Sequence, residues 1–216
     1  MLQRARKDED KQERRALIIS AVRQLCLKRQ NIDLTVAEVA NQAKLAKGTV
    51  YLYFKTKEEM LLALLGEELT QWAQSITKRL KKIHGQQALA ARAAKQVANS
   101  LQGREIFLRL LVALPGILEH NIDETTAYHF KQVLLEALKP IAAQIEELLK
   151  IRKGRGVNVI LNLHVLLIGL KLTSDPAPVV KKVLAMPQLK PLRLDFVPEF
   201  IRAATYFLEG VASHAT

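Results

Sequence analysis

The chain has 216 residues, 49% of them apolar and 25% charged, with a formal net charge of +12 at pH 7. That apolar content fills one large core or two small ones and excludes a disordered or fibrous chain. The 33 basic residues against 21 acidic ones favour polyanionic partners, either nucleic acid or an anionic membrane face.

Residues 1–57 hold 13 basic and 6 acidic residues, so most of the net positive charge lies at the N-terminus. The opening string MLQRARKDEDKQERR lacks the apolar stretch of a signal-peptide core. The most apolar run, VNVILNLHVLLIGL from Val157, falls short of the roughly 20 residues of a bilayer span and contains Asn158, Asn162 and His164. It is expected to be a buried helix, and the chain to be cytoplasmic with no membrane partner. The single cysteine, Cys26, has no internal disulfide partner and is spaced among apolar residues like a core thiol.

Alternating strand patterns are missing, and apolar residues recur at intervals of three and four. The chain is therefore expected to be all-α, with about nine helices. The first runs from about Lys11 to Lys28, with Leu17, Ala21 and Leu25 on one face and Ile18, Val22 and Cys26 beside it. The residues before Lys11 read as a charged, frayed arm. At Thr35 the string TVAE pairs a hydroxyl N-cap with Glu38, a capping box that starts a short helix ending near Gln42. After AKLA a third short helix runs from near Lys47 to Phe54, because Thr56 and Glu59 open a second capping box. The fourth continues through Leu61, Leu62, Leu65, Leu69, Trp72 and Ile76 to about Ile83, where Gly85 stops it. Breaks at Gly103, at Pro115 and Gly116, at Gly154 and Gly156, and between Asp175 and Pro198 mark out five more helices. Within the last break, PVVKKVLAMP reads as a short helix with Pro178 in its first turn.

Two short helices joined by a tight turn and preceded by a longer helix form the tri-helical unit of helix-turn-helix DNA binders. Val36, Val39 and Ala40 are expected to face inward, with Leu45 in the turn and Val50 and Phe54 as anchors. Lys47, Thr49, Tyr51 and Tyr53 are left outward, with Gly48 at the N-terminal edge. Donor-rich and aromatic side chains of this kind suit phosphates and base edges. A glycine in a first helical turn costs about 1 kcal/mol of helix stability, but it lets the backbone approach DNA closely.

The string LAKGTVYLYFKTKEEML closely resembles the recognition segment of the tetracycline-repressor (TetR) family, a Lys-Gly-Thr-x-Tyr-x-Tyr-Phe core followed by a lysine that begins the fourth helix. The match extends from Arg14 to Leu65. The resemblance implies a DNA-binding domain at 1–57 and a helical ligand-binding and dimerisation domain at 58–216. By position, Thr35 would donate to a phosphate, Tyr53 and Lys57 would hold phosphates across the groove, and Lys47, Gly48, Thr49 and Tyr51 would lie at the bases. Lys44 stands where the family's turn often has Gly, and Ala46 where a Ser often caps the recognition helix. Lys44 is therefore expected to carry a left-handed backbone, and the third helix to lack a side-chain cap of about 1 kcal/mol.

A helix from Val157 to Thr173 that is apolar on nearly every side must be covered all round. The last helix, about Val197 to Ala212, carries Phe200, Ala204, Phe207, Leu208 and Val211 on one stripe. Together they predict a homodimer through these two helices, with Gly169 allowing close approach, and the resemblance implies the same pairing. A two-fold dimer would present two recognition helices to successive major grooves of a palindromic DNA operator. The resemblance also implies a cavity for a small hydrophobic or weakly polar ligand, toward which Trp72, Phe107, His129, Phe130, Asn162 and His164 are the candidates. His120, Asp123, Glu124 and His129 lack metal-ligand spacing, Asp123 and Glu124 sitting where a helix cap is expected. No metal, cofactor or enzymatic activity is expected. Alternatives left open are a DNA-binding dimer without an inducer and a basic module that docks on a membrane surface.

Overall fold

The computed structural model describes residues 2–29, 31–85 and 87–214. Among them are ten α-helices and no strand. The helices are α1 (Leu2–Lys28), α2 (Val36–Ala43), α3 (Lys47–Tyr51), α4 (Lys57–Leu80), α5 (Leu89–Ser100), α6 (Glu105–Ala113), α7 (Glu124–Leu149), α8 (Gly156–Ser174), α9 (Pro178–Leu184) and α10 (Phe196–Ser213). The short helix expected inside the Pro-rich stretch is α9, with Pro178 as its first residue. The chain forms two compact units, residues 1–69 with 104–134 and residues 70–103 with 135–216.

In the first unit α1 packs on α2 and on α6, and α2 packs on α3. Ile18, Ile19, Val22 and Cys26 of α1, Val39 and Ala40 of α2, Val50 and Phe54 are buried, as are Met60, Leu61, Leu64 and Leu65 of α4. Burial pushes the Cys26 thiol above its ordinary pKa, which fits an unreactive core cysteine. Two expectations for α1 are corrected. Leu17 is 53% exposed, while Ala21 and Leu25 are buried. The helix also begins at Leu2 rather than near Lys11, because the charged leader contains good helix formers and neither Gly nor Pro to stop it.

Where the sequence breaks at Pro115 and Gly116, α6 runs into a single π-helical turn, Leu114–Leu118, closed by the Glu119 N–H donating to the Leu114 carbonyl at 3.2 Å. Pro115 has no N–H, so it removes one rung of the α-ladder, and the wider turn takes up the register. Asp123 then caps α7, accepting from the Thr126 N–H at 2.9 Å, in the cap role expected of it.

In the second unit α10 packs against α5 and α8. The α5 face is built from Ala90, Ala93, Ala94, Val97 and Ala98, small side chains that let another helix come close. Phe200, Ala204 and Leu208 of α10 are fully buried within the unit. This corrects part of the expectation that the stripe is left over for a partner: these three are spent inside the chain, while Phe207 and Val211 are half-buried and Tyr206, 66% exposed, points outward. The expectation for α8 is corrected as well. Val159, Ile160, Leu163 and Leu167 are buried, but Leu161, Val165 and Leu172 are 43%, 67% and 58% exposed. This helix has 19 residues and contains an 18-residue stretch of mean hydropathy 1.6, long and apolar enough to cross a bilayer by length and composition. It is longer than the apolar run suggests because it continues past the single charge of Lys171 to Ser174.

Candidate nucleic-acid interface

The interface begins at a helix cap. Thr35 is an N-cap in extended conformation, and its capping box with Glu38 is complete. The Thr35 hydroxyl accepts from the Glu38 N–H at 3.3 Å, and the Glu38 carboxylate accepts from the Thr35 N–H at 2.8 Å. The exposed Thr35 hydroxyl also donates to that carboxylate at 2.9 Å, so its one proton is held within the protein. Glu38 is bound in turn by the Arg29 guanidinium. The Arg29 hydrogen bond, followed by the one from the Thr35 backbone, lowers the Glu38 pKa from 4.5 to about 2.

Lys44 ends α2 with φ 56° and ψ 39°, the left-handed conformation expected from its place in the turn. Its N–H reaches the carbonyls of Ala40 and Asn41, and the Leu45 N–H donates to Ala40 at 2.9 Å, which satisfies the end of α2. Ala46 precedes α3 with no side-chain cap, again as its residue type implies. The α-helical part of α3 is shorter than expected, ending at Tyr51. Tyr53 and Phe54 N–H groups both donate to the Val50 carbonyl at 3.0 Å and carry the chain into α4.

Val50 and Phe54 anchor α3 in the core, leaving the opposite face open. Lys47 and Gly48 are exposed, Tyr51 is 45% exposed, and Thr49 and Tyr53 are half-buried. The Lys47 ammonium lies 5.8 Å from the Tyr51 ring centroid, so cation and ring share one patch. A Cβ built on Gly48 meets nothing within 4 Å; no packing inside the chain requires glycine there. Lys57, at the start of α4, holds Asp33 at 3.2 Å, an exposed carboxylate that a phosphate would have to displace.

Two exposed residues of this unit carry no sequence signal. Leu52 is 79% exposed next to Tyr51, an apolar side chain suited to a thymine methyl group. Arg15 of α1 places its guanidinium 5.2 Å from the Phe54 ring centroid while remaining exposed. Lys55 is drawn away from this face by Asp123 at 2.7 Å.

The six residues expected to face a ligand fall in both units. Phe107 and Phe130 are buried and His129 is exposed in the first unit. In the second, Trp72 is buried and donates to the Ser100 hydroxyl at 2.9 Å, His164 is half-buried, and Asn162 is exposed and bonds the Asn158 carbonyl one turn back. A cleft of about 280 Å³ in the second unit is lined instead by Leu80, His84, Leu89, Gln144 and Leu148 among others. Among the described residues there is no cluster of metal-ligating side chains.

A basic tri-helical unit with a capped first helix, an anchored second and an outward face of cation, glycine, threonine and tyrosine defines a helix-turn-helix DNA-binding protein. Residues 18–64 match the model of bacterial regulatory proteins of the tetR family, and residues 66–215 match the tetracyclin repressor-like C-terminal domain. The chain belongs to the TetR family of transcriptional regulators.

It is 40% identical over 47 residues to the fatty acid metabolism regulator protein of Bacillus subtilis (strain 168), a stretch that is 22% of this chain and 24% of that one. The chain thus matches about a quarter of the length of that relative. Solved TetR-family structures share the fold. One from Syntrophomonas wolfei superposes with a TM-score of 0.56 at 17% identity, covering 95% of this chain and 98% of the other. One from Mesorhizobium loti gives 0.52 at 16% identity, covering 93% and 96%. The repressor AlkX from Dietzia gives 0.51 at 19% identity, covering 92% and 96%.

Proposed function

We propose that the chain is a cytoplasmic, ligand-responsive TetR-type repressor that binds a palindromic DNA operator as a homodimer. The observation that carries this reading is the outward face of α3, where Lys47, Gly48 and Tyr51 are exposed while Val50 is fully buried. Thr35, Tyr53 and Lys57 flank that face as phosphate contacts and set its register, and Lys47, Gly48, Thr49, Tyr51 and Leu52 meet the bases. The dimer forms through α8 and α10, with the exposed stripe of Leu161, Val165 and Leu172 as its apolar centre. Its two recognition helices meet major grooves about 34–36 Å apart. Residues 1–57 serve DNA reading, and residues 58–216 serve dimerisation and the ligand.

Tyr51→Ala and Lys57→Ala each lower affinity for duplexes enriched from a random pool by at least tenfold. Unchanged binding in both variants removes α3 as the reading helix. Anionic vesicles added to the same assay compete for the chain if its basic end serves a membrane instead.

The ligand is a small hydrophobic or weakly polar molecule. Acyl chains are the first class to screen, since the Bacillus subtilis relative is named for fatty acid metabolism. A rise in melting temperature together with release of DNA identifies it. The exposure of His129 and Asn162 favours a second reading, a DNA-binding dimer without an inducer, in which no acyl chain produces either effect.

A further inference from the structure

The last carbonyls of a helix have no partner within it and form its negative pole. In this chain one of those of α1, the Cys26 carbonyl, is met by Arg109, a half-buried residue of α6. Its Nη2 donates to the Cys26 carbonyl at 2.8 Å, and its Nη1 to the carbonyls of Arg29 at 2.6 Å and Asn31 at 3.3 Å. One planar fork thus fixes both the end of α1 and the turn that leads to α2. The side chain of Arg29, whose backbone is held in this way, binds the Glu38 carboxylate and the Asp33 carbonyl, the latter at 2.7 Å. Glu38 in turn holds both the N–H and the hydroxyl of Thr35. The contacts are continuous from α6 to the residue at the N-terminus of the helix-turn-helix, and α6 ends at the π-turn containing Pro115 and Gly116.

We propose that Arg109 is a positioning residue for DNA binding, and that the relay Arg109–Arg29–Glu38–Thr35 ties the placement of Thr35 to that of α6. A shift of α6 moves the Arg29 backbone, and the Glu38 carboxylate then tightens or loosens its hold on the Thr35 proton that a phosphate oxygen must accept. The inference rests on the DNA-contact role proposed for Thr35.

The test is a double-mutant cycle on the full-length chain, using duplexes enriched from a random pool by the wild type. Arg109→Ala and Thr35→Val each lower affinity at least fivefold, and the double variant loses no more than twofold beyond Thr35→Val alone. Losses that multiply, or an Arg109→Ala variant that binds like the wild type, overturn the relay. If Arg109→Ala does not fold, Arg109→Lys takes its place in the cycle, since it keeps the charge but has no fork to span three carbonyls. Amide hydrogen exchange without DNA provides a separate arm. In the Arg109 variant, exchange at Thr35 and Glu38 rises at least tenfold, while the Lys55 amide, held by Glu59 at 2.7 Å, is unchanged. A uniform rise, or none, overturns the relay. If the wild type enriches no duplex, the DNA-binding reading fails by itself, and the exchange arm still decides the relay.

Discussion

Glu38 caps α2 with its carboxylate while accepting a guanidinium from Arg29, and both partners favour its ionised form. Its folded-state pKa is depressed, so its contribution to stability is complete above about pH 4.5 and is lost as the pH falls toward 2. A carbon-detected NMR titration should place the Glu38 midpoint near 2, and Arg29→Ala should return it toward 4.5. A midpoint near 4.5 in the wild type would show that the contact does not persist in solution. Gly48 gives the opposite kind of prediction. With no atom within 4 Å of where its Cβ would stand, Gly48→Ala should stabilise the fold by about 0.5–1 kcal/mol in thermal melts and yet weaken DNA binding at least tenfold. Tighter binding by that variant would show that no DNA backbone approaches there. The capping box at Thr35 was legible in sequence because cap chemistry acts within four residues, and the left-handed Lys44 and the uncapped start of α3 followed from the family resemblance. The exposure of Leu52 and the stacking of Arg15 on Phe54 were not, because neighbours distant in sequence decide them.

At the scale of elements, the sequence distinguishes poorly between a glycine that turns the chain and one that lets helices touch. Gly154 and Gly156 both read as a break. Gly154 does turn, at φ 89°, but Gly156 is the first residue of α8 and packs on α7. A Cβ there would lie 2.5 Å from the Ala142 carbonyl oxygen and 2.8 Å from its carbonyl carbon, backbone atoms that cannot rotate aside. Gly156→Ala should therefore destabilise the fold by about 1–3 kcal/mol, which chemical denaturation measures. No loss would mean that α7 and α8 separate at little cost. Gly169, singled out in sequence for close approach, has open space around it within the chain. Helix number and order were legible because periodicity and breakers are local signals. The orientation of α10 was not, since Phe200, Ala204 and Leu208 would serve equally well against α5 or against another subunit.

At the scale of the whole molecule, α8 leaves the largest question for a partner, and TetR-family regulators act as dimers. Val165 is 67% exposed, so Val165→Asp places a charge on the stripe without burying it in the single chain. Light scattering should then show a dimer for the wild type and a monomer for the variant. A dimer that survives moves the interface away from α8. The sequence by itself determined the helical class, the cap-defined boundaries of the helix-turn-helix and the family, because all three rest on residues within a few positions of one another. Only the tertiary structure decided that Arg109, some 80 residues after Arg29, closes the end of α1, that Phe200, Ala204 and Leu208 of α10 are buried at home, and that α8 keeps an apolar face uncovered. Those depend on which surfaces meet once the chain has folded. An amphipathic pattern says that a face must be buried, and packing alone says against what.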